Sequence, residues 1–377
     1  MALQTACSPS ESPFMLSAKS FSDLASGKRK DLPARCFRLV TWFFQGPYWA
    51  ATSIRNLLYK KDLKKSFRSK SFVLSVGNLT TGGTGKTPFI EYLCRYFGQK
   101  NCRVAILSRG YGSASNRPND ESLQLAKNFP DIAQYLGANR VDSAQKATAE
   151  GADLLLLDDG FQHRRLCRDL DIVLLDALVP FGFGHLLPRG LLRESVTSLG
   201  RADLVVLTRS DQITQAARSA IWKKVKAYHS ATLCLEASHQ ADHLTNTSGE
   251  NLPLYNLTGK KVFAFCGLGN PAGFRKTLEK SGCELVGFLP FPDHHHYTTD
   301  DQTKIAQLAK VAKAQLIVST EKDLTKFTNT ELATIPLWAL AIRLTILKGE
   351  DQLHQYLDEK QERHRLKNLQ SKESKIL

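Results

Sequence analysis

A glycine-rich turn between an apolar run and a helix-like segment is the strongest chemical signal in this sequence. Residues 75–93 read SVGNLTTGGTGKTPFIEYL, which follows the phosphate-binding pattern G-x-x-x-x-G-K-[ST] except that Thr80 replaces the first glycine. In such a loop the backbone N–H groups meet phosphate oxygens, the lysine reaches the β- and γ-phosphates, and the hydroxyl ligates Mg²⁺. We therefore predict a nucleotide site rather than a glycine-rich turn with an exposed lysine. Its residues are Thr80, Thr81, Gly82, Gly83, Thr84, Gly85, Lys86 and Thr87.

Two adjacent carboxylates, Asp158 and Asp159, end another apolar run, LLLLDD. At the carboxyl end of a parallel strand beside a phosphate-binding loop, such residues meet the Mg²⁺ of the nucleotide. They could instead cap the segment that follows, GFQHRR, but the apolar strand before them favours the metal role. The sequence thus predicts both as Mg²⁺ ligands.

Three arginines lie in segments suited to an anionic substrate. Arg109 belongs to SRGYGS (108–113), which also follows an apolar run, and Arg189 and Arg193 belong to LLPRGLLRE (186–194). Ordinary surface cations are the alternative interpretation. The densest histidine cluster, FPDHHHYTTDD (291–301), favours one histidine paired with a carboxylate for proton transfer over a metal site, with a solvated loop as the alternative.

Short continuous apolar runs separated by helix-like segments predict strands covered on both faces, as in a parallel α/β sheet. In the first half these runs span 71–76, 104–108, 153–159, 171–177 and 203–208. A second set of alternating segments predicts another, smaller α/β domain. The predicted division is a flexible extension over 1–35, interfacial helices over 36–70, a phosphate-binding-loop domain over 71–235, a linker over 236–260, the smaller domain over 261–348, and a closing helix with a charged tail over 349–377.

The segment before the phosphate-binding loop is strongly basic and aromatic. Twelve Lys and Arg residues against two acidic ones lie between Lys28 and Lys70, in a chain of net charge +15. The uncharged stretch 39–54 is too short to span a membrane, and the QGP sequence at 45–47 predicts two short helices. Their apolar face followed by lysines fits a membrane interface, or else packing on the protein's own core. No nucleic-acid motif accompanies the charge, so we predict no nucleic-acid partner.

In their order, VGNLTTGGTGKTP, SRGYG, DDGFQHRRLCRDLDIVLLDA, FGFGHLLPRGLLRE, FPDHHHY and STEKD resemble the tetraacyldisaccharide 4'-kinase family of lipid A biosynthesis. The resemblance covers roughly residues 39–344. It implies transfer of the ATP γ-phosphate, with Mg²⁺, to the 4'-hydroxyl of a tetraacylated glucosamine disaccharide 1-phosphate. It also implies an enzyme at the cytoplasmic face of the bacterial inner membrane, whose anionic surface the N-terminal helices would meet, since an acylated substrate leaves the bilayer only at high cost.

The resemblance assigns roles to individual residues. It gives Gln162 a part with Asp158 and Asp159 in organising Mg²⁺ and nucleotide, and it makes Lys86 catalytic. The family's GDEP segment, which supplies a catalytic aspartate, corresponds to residues 119–122, NDES, so Asp120 is the implied base. His294 is the matching histidine of the DH motif, with His295 as a substitute in a shifted alignment. The implied substrate contacts are Arg109, Tyr111, His163, Arg189 and Arg193.

Two other functions stay open on the sequence. One is a P-loop NTPase switch that uses LTRSD (207–211) as a base-recognition loop, which guanine preference or turnover without a lipid acceptor would indicate. The other is a non-enzymatic protein that binds nucleic acid or an acidic membrane. Neither predicts the DDGFQ, LLPRGLLRE and DHH motifs together.

Overall fold

The computed structural model describes residues 18–110, 120–293 and 295–373. The five apolar runs of the first half all form strands, and the half-exposed edge strand at 133–136 is one that hydrophobic pattern did not indicate. The strands are Phe72–Asn78 (β1), Val104–Ser108 (β2), Ala133–Leu136 (β3), Leu154–Asp158 (β4), Leu170–Asp176 (β5), Leu204–Thr208 (β6), Leu233–Thr245 (β7), Asn251–Pro253 (β8), Lys261–Cys266 (β9), Glu284–Pro290 (β10), Leu316–Thr320 (β11), Glu331–Leu332 (β12) and Ile335–Lys348 (β13).

Helices cover both faces of the sheet that these strands form. They are Ala18–Ala25 (α1), Leu32–Lys60 (α2), Lys86–Gly98 (α3), Asp120–Asn128 (α4), Arg140–Ala149 (α5), Gln215–Tyr228 (α6), Pro271–Lys280 (α7), Thr299–Val311 (α8), Glu321–Leu324 (α9) and Glu350–Glu373 (α10). The last helix, α10, packs on α3, where the His354 ring stacks on Tyr96 with centroids 4.4 Å apart.

Strand β1 lies between β4 and β5, and all three run parallel. Every residue of β1 is buried, because helices cover the sheet on both sides. The loop after β1 and the carboxylates that end β4 therefore emerge side by side at one edge of the sheet. This arrangement places the two strongest sequence motifs next to each other.

The two halves of the chain share one sheet, ordered β10-β9-β11-β13-β7-β6-β5-β1-β4-β2-β3. The long strands β7 and β13 pair antiparallel in its middle, with register irregularities at 341–342 and 346–348. Residues 236–245, which the sequence predicts as part of a linker, instead belong to β7. Many of their side chains are polar, so the hydrophobic pattern did not indicate a strand here. Pairing with the apolar strand β13 stabilises it.

The N-terminal segment differs from the prediction in two ways. Helix α2 runs unbroken through Gly46 and Pro47, so the expected pair of short helices is wrong. Pro47 removes one backbone hydrogen bond and costs about 3 kcal/mol, but Tyr48 and Arg55 attach the helix to the protein body directly after it. The predicted flexible extension is also wrong over residues 18–35, which form α1 and the start of α2 and bury Ala25 and Ala34.

Within the described residues, no helix combines the length and apolar character needed to span a bilayer.

An acidic pair, the buried Glu91 and the partly buried Glu321, joins three helices. Glu91 of α3 and Glu321 of α9 both accept hydrogen bonds from Asn128 Nδ2 of α4, at 3.0 and 3.3 Å. Burial, and then the neighbouring Glu91 charge, raise the pKa of Glu321 to about 7. Burial likewise raises the pKa of Glu91. This junction therefore favours the protonated form of both carboxyl groups.

Gly77→Ala should destabilise the protein by about 2 kcal/mol, the range for overpacking a filled core. A Cβ at Gly77 would lie 2.6 Å from Phe161 Cβ and 2.7 Å from its backbone nitrogen. Urea unfolding of purified protein measures the change. Gly98→Ala, in open space at the end of α3, is the control and should not destabilise. Equal stability of the two variants would contradict the packing described here.

Glu321→Gln should remove a pH dependence of stability. The folded-state pKa of Glu321, about 7, exceeds its ordinary value of 4.5, so ionisation favours the unfolded chain and wild-type stability falls as pH rises through this window. Between pH 5 and pH 8 the unfolding free energy of the variant should gain about 2 kcal/mol relative to wild type. Urea unfolding at both pH values tests this, with the exposed Glu362→Gln as control. A constant difference would contradict the assignment.

Candidate active site

The nucleotide loop is fixed from the side by the segment 186–194. Thr81 N donates to Leu191 O at 2.8 Å, and Arg193 N donates to Leu79 O at 2.7 Å. From within, Asn78 Nδ2 donates to Thr80 O at 2.7 Å. The loop is thus held in shape by backbone contacts that no phosphate-binding pattern encodes.

Glycine is required at the end of this loop. Gly82 and Gly85 both have positive φ, at 110° and 87°. A Cβ at Gly85 would lie 2.5 Å from Nε2 of the buried His239. Gly83 accepts a hydrogen bond from Arg209 Nη2 at 3.1 Å. That arginine belongs to LTRSD, so the motif considered as a base-recognition loop also braces the phosphate-binding loop.

The last residues of the segment 80–87 lead from the loop into helix α3. Thr84 O accepts a hydrogen bond from Thr208 Oγ1 at 2.9 Å. Lys86 and Thr87 form the first turn of α3, where the helix N-terminus favours negative charge. The predicted nucleotide residues therefore form one continuous loop from Thr80 to Thr87.

Asp159 joins the loop lysine to an arginine from the neighbouring segment. Its two carboxylate oxygens accept from Arg193 Nη1 at 2.7 and 2.8 Å, and Lys86 Nζ lies 3.6 Å away. Burial opposes the charged form, but Lys86 and Arg193 outweigh it and lower the pKa of Asp159. Its backbone adopts a left-handed φ of 52°, a strained conformation for a non-glycine residue. Asp159 therefore stays ionised and orients Lys86.

Asp158 has a different electrostatic environment. Burial, followed by the negative charges of Glu121 and Asp159, raises its pKa to about 7 against the opposing effect of Lys86 and Arg140. Nearby, Gln162 Nε2 donates to Asn78 O at 2.9 Å, while the buried Gln162 Oε1 accepts no hydrogen bond. A cation beside Asp158 would neutralise the carboxylate charge and could be bound by the unused Gln162 Oε1.

These donors fit Mg²⁺. The described residues hold no cluster of three or more His, Cys, Asp or Glu arranged around one metal position. Mg²⁺ commonly takes only one or two carboxylates and completes its shell with phosphate oxygens and waters. Asp158, Gln162 Oε1 and the Thr87 hydroxyl supply such a partial set, whereas Asp159 already pairs with two cations.

Asp120 begins α4 and faces the second half of the chain. Its Oδ2 lies 3.0 Å from Lys326 Nζ, directly after α9. Glu121, the next residue, acts electrostatically on Asp158, as Lys86 does. The residue after the predicted base and the lysine of the predicted nucleotide site therefore both act on Asp158.

The predicted histidine pair is only partly described. His294 and Tyr111 lie outside the described residues. Asp293 Oδ1 accepts from Lys322 Nζ at 3.1 Å. His295, the substitute, stacks on Phe291 and bonds through Nε2 to Asp301 Oδ2 at 2.9 Å, within the cap of α8. His295 thus has a local structural partner.

His163 lies among arginines. Burial first, and then Arg140, Arg168, Arg165 and Arg109, lower its pKa to about 4, so it is neutral near pH 7. Its Nε2 is buried without a hydrogen-bond partner. A neutral imidazole donates one ring N–H, and with cationic neighbours this donor is suited to contact with an anionic oxygen. Arg109 acts electrostatically on His163, and their role as substrate contacts stays a prediction.

The other two predicted substrate arginines lie elsewhere. Arg189 Nη1 donates to Ala25 O at the end of α1, at 2.7 Å, and Arg193 pairs with Asp159. Adjacent to Arg193, the fully buried Glu194 accepts from Arg55 of α2 at 2.6 Å and from Arg201 at 2.9 Å. The LLPRGLLRE segment therefore connects α1 and α2 to the nucleotide loop.

Sequence reasoning missed several residues of this site. Glu194 ends the LLPRGLLRE motif, where a single carboxylate after two arginines is a signal for an ion pair. Arg140 donates to Asp158 O at 2.7 Å, and Lys326 contacts Asp120, but each is an isolated cation in a segment without a motif.

Comparison with known proteins identifies the family. The family model described as tetraacyldisaccharide-1-P 4'-kinase (LpxK) matches residues 37–362. Tetraacyldisaccharide 4'-kinase of Syntrophus aciditrophicus is 38% identical over 88% of this chain and 95% of its own length, and that of Halothermothrix orenii is 37% identical over 81% and 88%. The crystal structure of LpxK from Aquifex aeolicus in complex with ATP matches with a TM-score of 0.69 at 28% identity, over 86% of this chain and 99% of that one.

These comparisons confirm the predicted fold class, a P-loop NTPase-like α/β protein, and they favour a kinase over the NTPase switch and over a non-enzymatic binding protein. Motifs, sheet topology and relatives agree over most of the chain. The chain belongs to the tetraacyldisaccharide-1-P 4'-kinase family.

Proposed function

We propose that this protein transfers the γ-phosphate of ATP to the 4'-hydroxyl of a tetraacylated glucosamine disaccharide 1-phosphate in lipid A biosynthesis. Family membership supports the reaction. The site assignment depends on the position of Asp158. Its pKa is lowered by Lys86 in the nucleotide loop and raised by Glu121, the residue beside Asp120. The lysine of the nucleotide loop and the residue next to the proposed base thus both act on one carboxylate.

In the proposed reaction the 4'-hydroxyl oxygen attacks the γ-phosphorus, and the bond from that phosphorus to the β–γ bridging oxygen breaks. Asp120 accepts the hydroxyl proton, and His294 tunes Asp120 as the family resemblance implies. Lys86 and the loop N–H groups stabilise the negative charge on the transferring group. Asp158, Thr87 and Gln162 would hold Mg²⁺, which neutralises phosphate charge when bound. Asp159 keeps Lys86 oriented and stays a weaker candidate for the metal.

The basic cluster around His163 supports binding of the substrate's 1-phosphate. Arg109 and Arg165 act electrostatically on the neutral imidazole, and guanidinium groups are suited to bind a phosphate dianion. Arg140 and Arg168 are already bonded to Asp158 O and to the Asp171 carboxylate. Tyr111 remains a predicted contact in the same segment as Arg109. Arg189 and Arg193 act instead by holding α1 and Asp159.

Helix α2 supports a role at a membrane surface. Its large apolar side chains point away from the protein: Trp42 is 61% exposed and Phe43 is 70% exposed. Such exposure argues against packing on the protein's own core, since soluble proteins rarely leave a contiguous apolar patch uncovered. The other exposed members of this patch are Leu39, Val40, Phe44, Trp49, Ile54 and Leu57.

Lysines follow the patch at the end of α2. Lys60 and Lys61, and then Lys64 and Lys65, lie exposed beyond the apolar surface. Aromatic side chains in the headgroup region and cations against anionic lipids together bind an interface without crossing it. We infer peripheral association with the cytoplasmic face of the inner membrane, where an acylated acceptor is available.

Lys86→Ala and Asp120→Asn should each abolish most lipid phosphorylation. Loss of a general base typically costs 10²–10⁴-fold, and loss of the loop lysine removes charge stabilisation at the transferring phosphate. The assay measures γ-³²P transfer from ATP·Mg²⁺ to tetraacyldisaccharide 1-phosphate in mixed micelles. Lys360→Met on α10, distant in sequence and motif from the site, is the control and should keep wild-type rates. Wild-type release of phosphate to water without labelled lipid would contradict the proposed acceptor.

Trp42→Ser with Phe43→Ser should weaken vesicle binding roughly tenfold or more. Two aromatic side chains inserted into the membrane interface contribute a few kcal/mol to the free energy of partitioning. Co-sedimentation with phosphatidylglycerol and phosphatidylethanolamine vesicles measures the effect. Val311→Ser, at a position of α8 that is 82% exposed, is the matched control and should bind as wild type does. Unchanged binding of the double variant would exclude this face of α2 as the membrane contact.

A further inference from the structure

We propose that Lys326 is a positioning residue for phosphoryl transfer, which orients the Asp120 carboxylate from the second half of the chain. The proposal rests on the proposed role of Asp120 as base. Lys326 lies outside every motif that the sequence brings to attention, six residues beyond Thr320 and directly after the short helix α9.

The contact is direct and sheltered from solvent. Lys326 Nζ lies 3.0 Å from Asp120 Oδ2 and 3.6 Å from Asp323 Oδ1. The Lys326 side chain is 10% exposed and that of Asp120 is 17% exposed. An ion pair with so little solvent access is weakly screened, and its geometry limits where both groups can point.

Lys326 itself is aimed by a rigid surrounding. Asp323 has no exposed side-chain surface, and its Oδ2 accepts from Gly267 N and from Thr320 Oγ1, each at 2.8 Å. The ring of Tyr297 lies 5.7 Å from Lys326 Nζ and packs edge-on against Phe265. Lys326 Nζ forms no hydrogen bond among the described residues, so it acts on Asp120 as a nearby charge, held beside the fixed Asp323 carboxylate.

This geometry suits control of a base better than a general contribution to stability. Asp323 is already held by two hydrogen bonds, whereas the shortest contact of Lys326 is to a residue on α4, more than 200 positions earlier. A neighbouring cation keeps a carboxylate ionised and fixes the direction of its oxygens. Misplacement of a catalytic group by about 1 Å can cost 10²-fold in rate. Lys326 therefore makes base alignment depend on contact between the two halves of the chain.

The test is a double-mutant cycle in the micelle assay with Lys326→Met, Asp120→Asn and both together. Lys326→Met should lower kcat by about 10²-fold and leave the KM for ATP within about twofold. Lys326→Arg, which keeps the charge, should recover most of the lost rate. The double variant should be no slower than Asp120→Asn alone, because Lys326 acts through that carboxylate. Lys360→Met, which removes the ion pair to Asp203 at 3.2 Å, is the control.

Several outcomes would overturn the proposal. Losses that multiply in the double variant would mean that Lys326 acts on the substrate or nucleotide independently of Asp120. Unchanged kcat with a lower melting temperature would mean a purely structural role. If Lys326→Met is unfolded at assay temperature, Lys326→Gln, which keeps a donor without the charge, replaces it in the cycle with the same expectations.

Failure of this inference is distinguishable from failure of the proposed function. Labelled lipid from wild type and its loss in Asp120→Asn support the kinase and the base whatever Lys326 does. Full activity of Asp120→Asn would remove the basis for both roles.

Discussion

The ion pair between Asp159 and Arg193 is the constraint on which the site depends. It brings the end of β4 against the segment 186–194, and the same carboxylate lies 3.6 Å from Lys86. Without Asp159, the two positive groups of Lys86 and Arg193 would lie unpaired at one sheet edge, and nothing would direct the lysine toward the nucleotide loop. The cost is a left-handed backbone at Asp159, which surrounding contacts offset. The adjacent Asp158 does not pair with Arg193. Its pKa is raised, and its carboxylate is available to Mg²⁺.

The same segment connects the site to the N-terminal helices. Glu194 binds Arg55 of α2, Tyr48 Oη donates to Arg193 O, and Arg189 holds the end of α1. A helix with an exposed aromatic surface is thus attached through one short loop to the residues that orient Lys86. The hydrogen bonds of Glu194, Arg193 and Arg189 therefore connect both N-terminal helices to the segment that pairs with Asp159.

Sequence alone predicted the elements whose chemistry is local. A phosphate-binding loop and the DD pair are each encoded in consecutive residues, and continuous apolar runs identify buried strands. It failed where a partner distant in sequence decides the outcome. Residues 236–245 form a strand through pairing with β13 along most of their length and with β6 and β8 at their ends, and α2 continues through Pro47 where Tyr48 and Arg55 attach it. Arg140 and Lys326 are single cations whose roles follow from tertiary proximity, for which one sequence holds no signal.

The pairing of β7 with β13 also decides how the two halves of the chain can move. Over residues 237–241, β7 pairs with β13 alone among the described strands, because β6 pairs with residues 233–236 and β8 with residues 243–245. Such a two-stranded ribbon resists stretching, because its ladder bonds act together, but it twists readily and more so at bulges. The register irregularities at 341–342 and 346–348 lie within this ribbon. Relative motion of Asp120 and Lys326 would therefore be a torsion about the ribbon rather than the swing of a flexible linker. The two halves would then change their relative twist while their strands stay within one sheet.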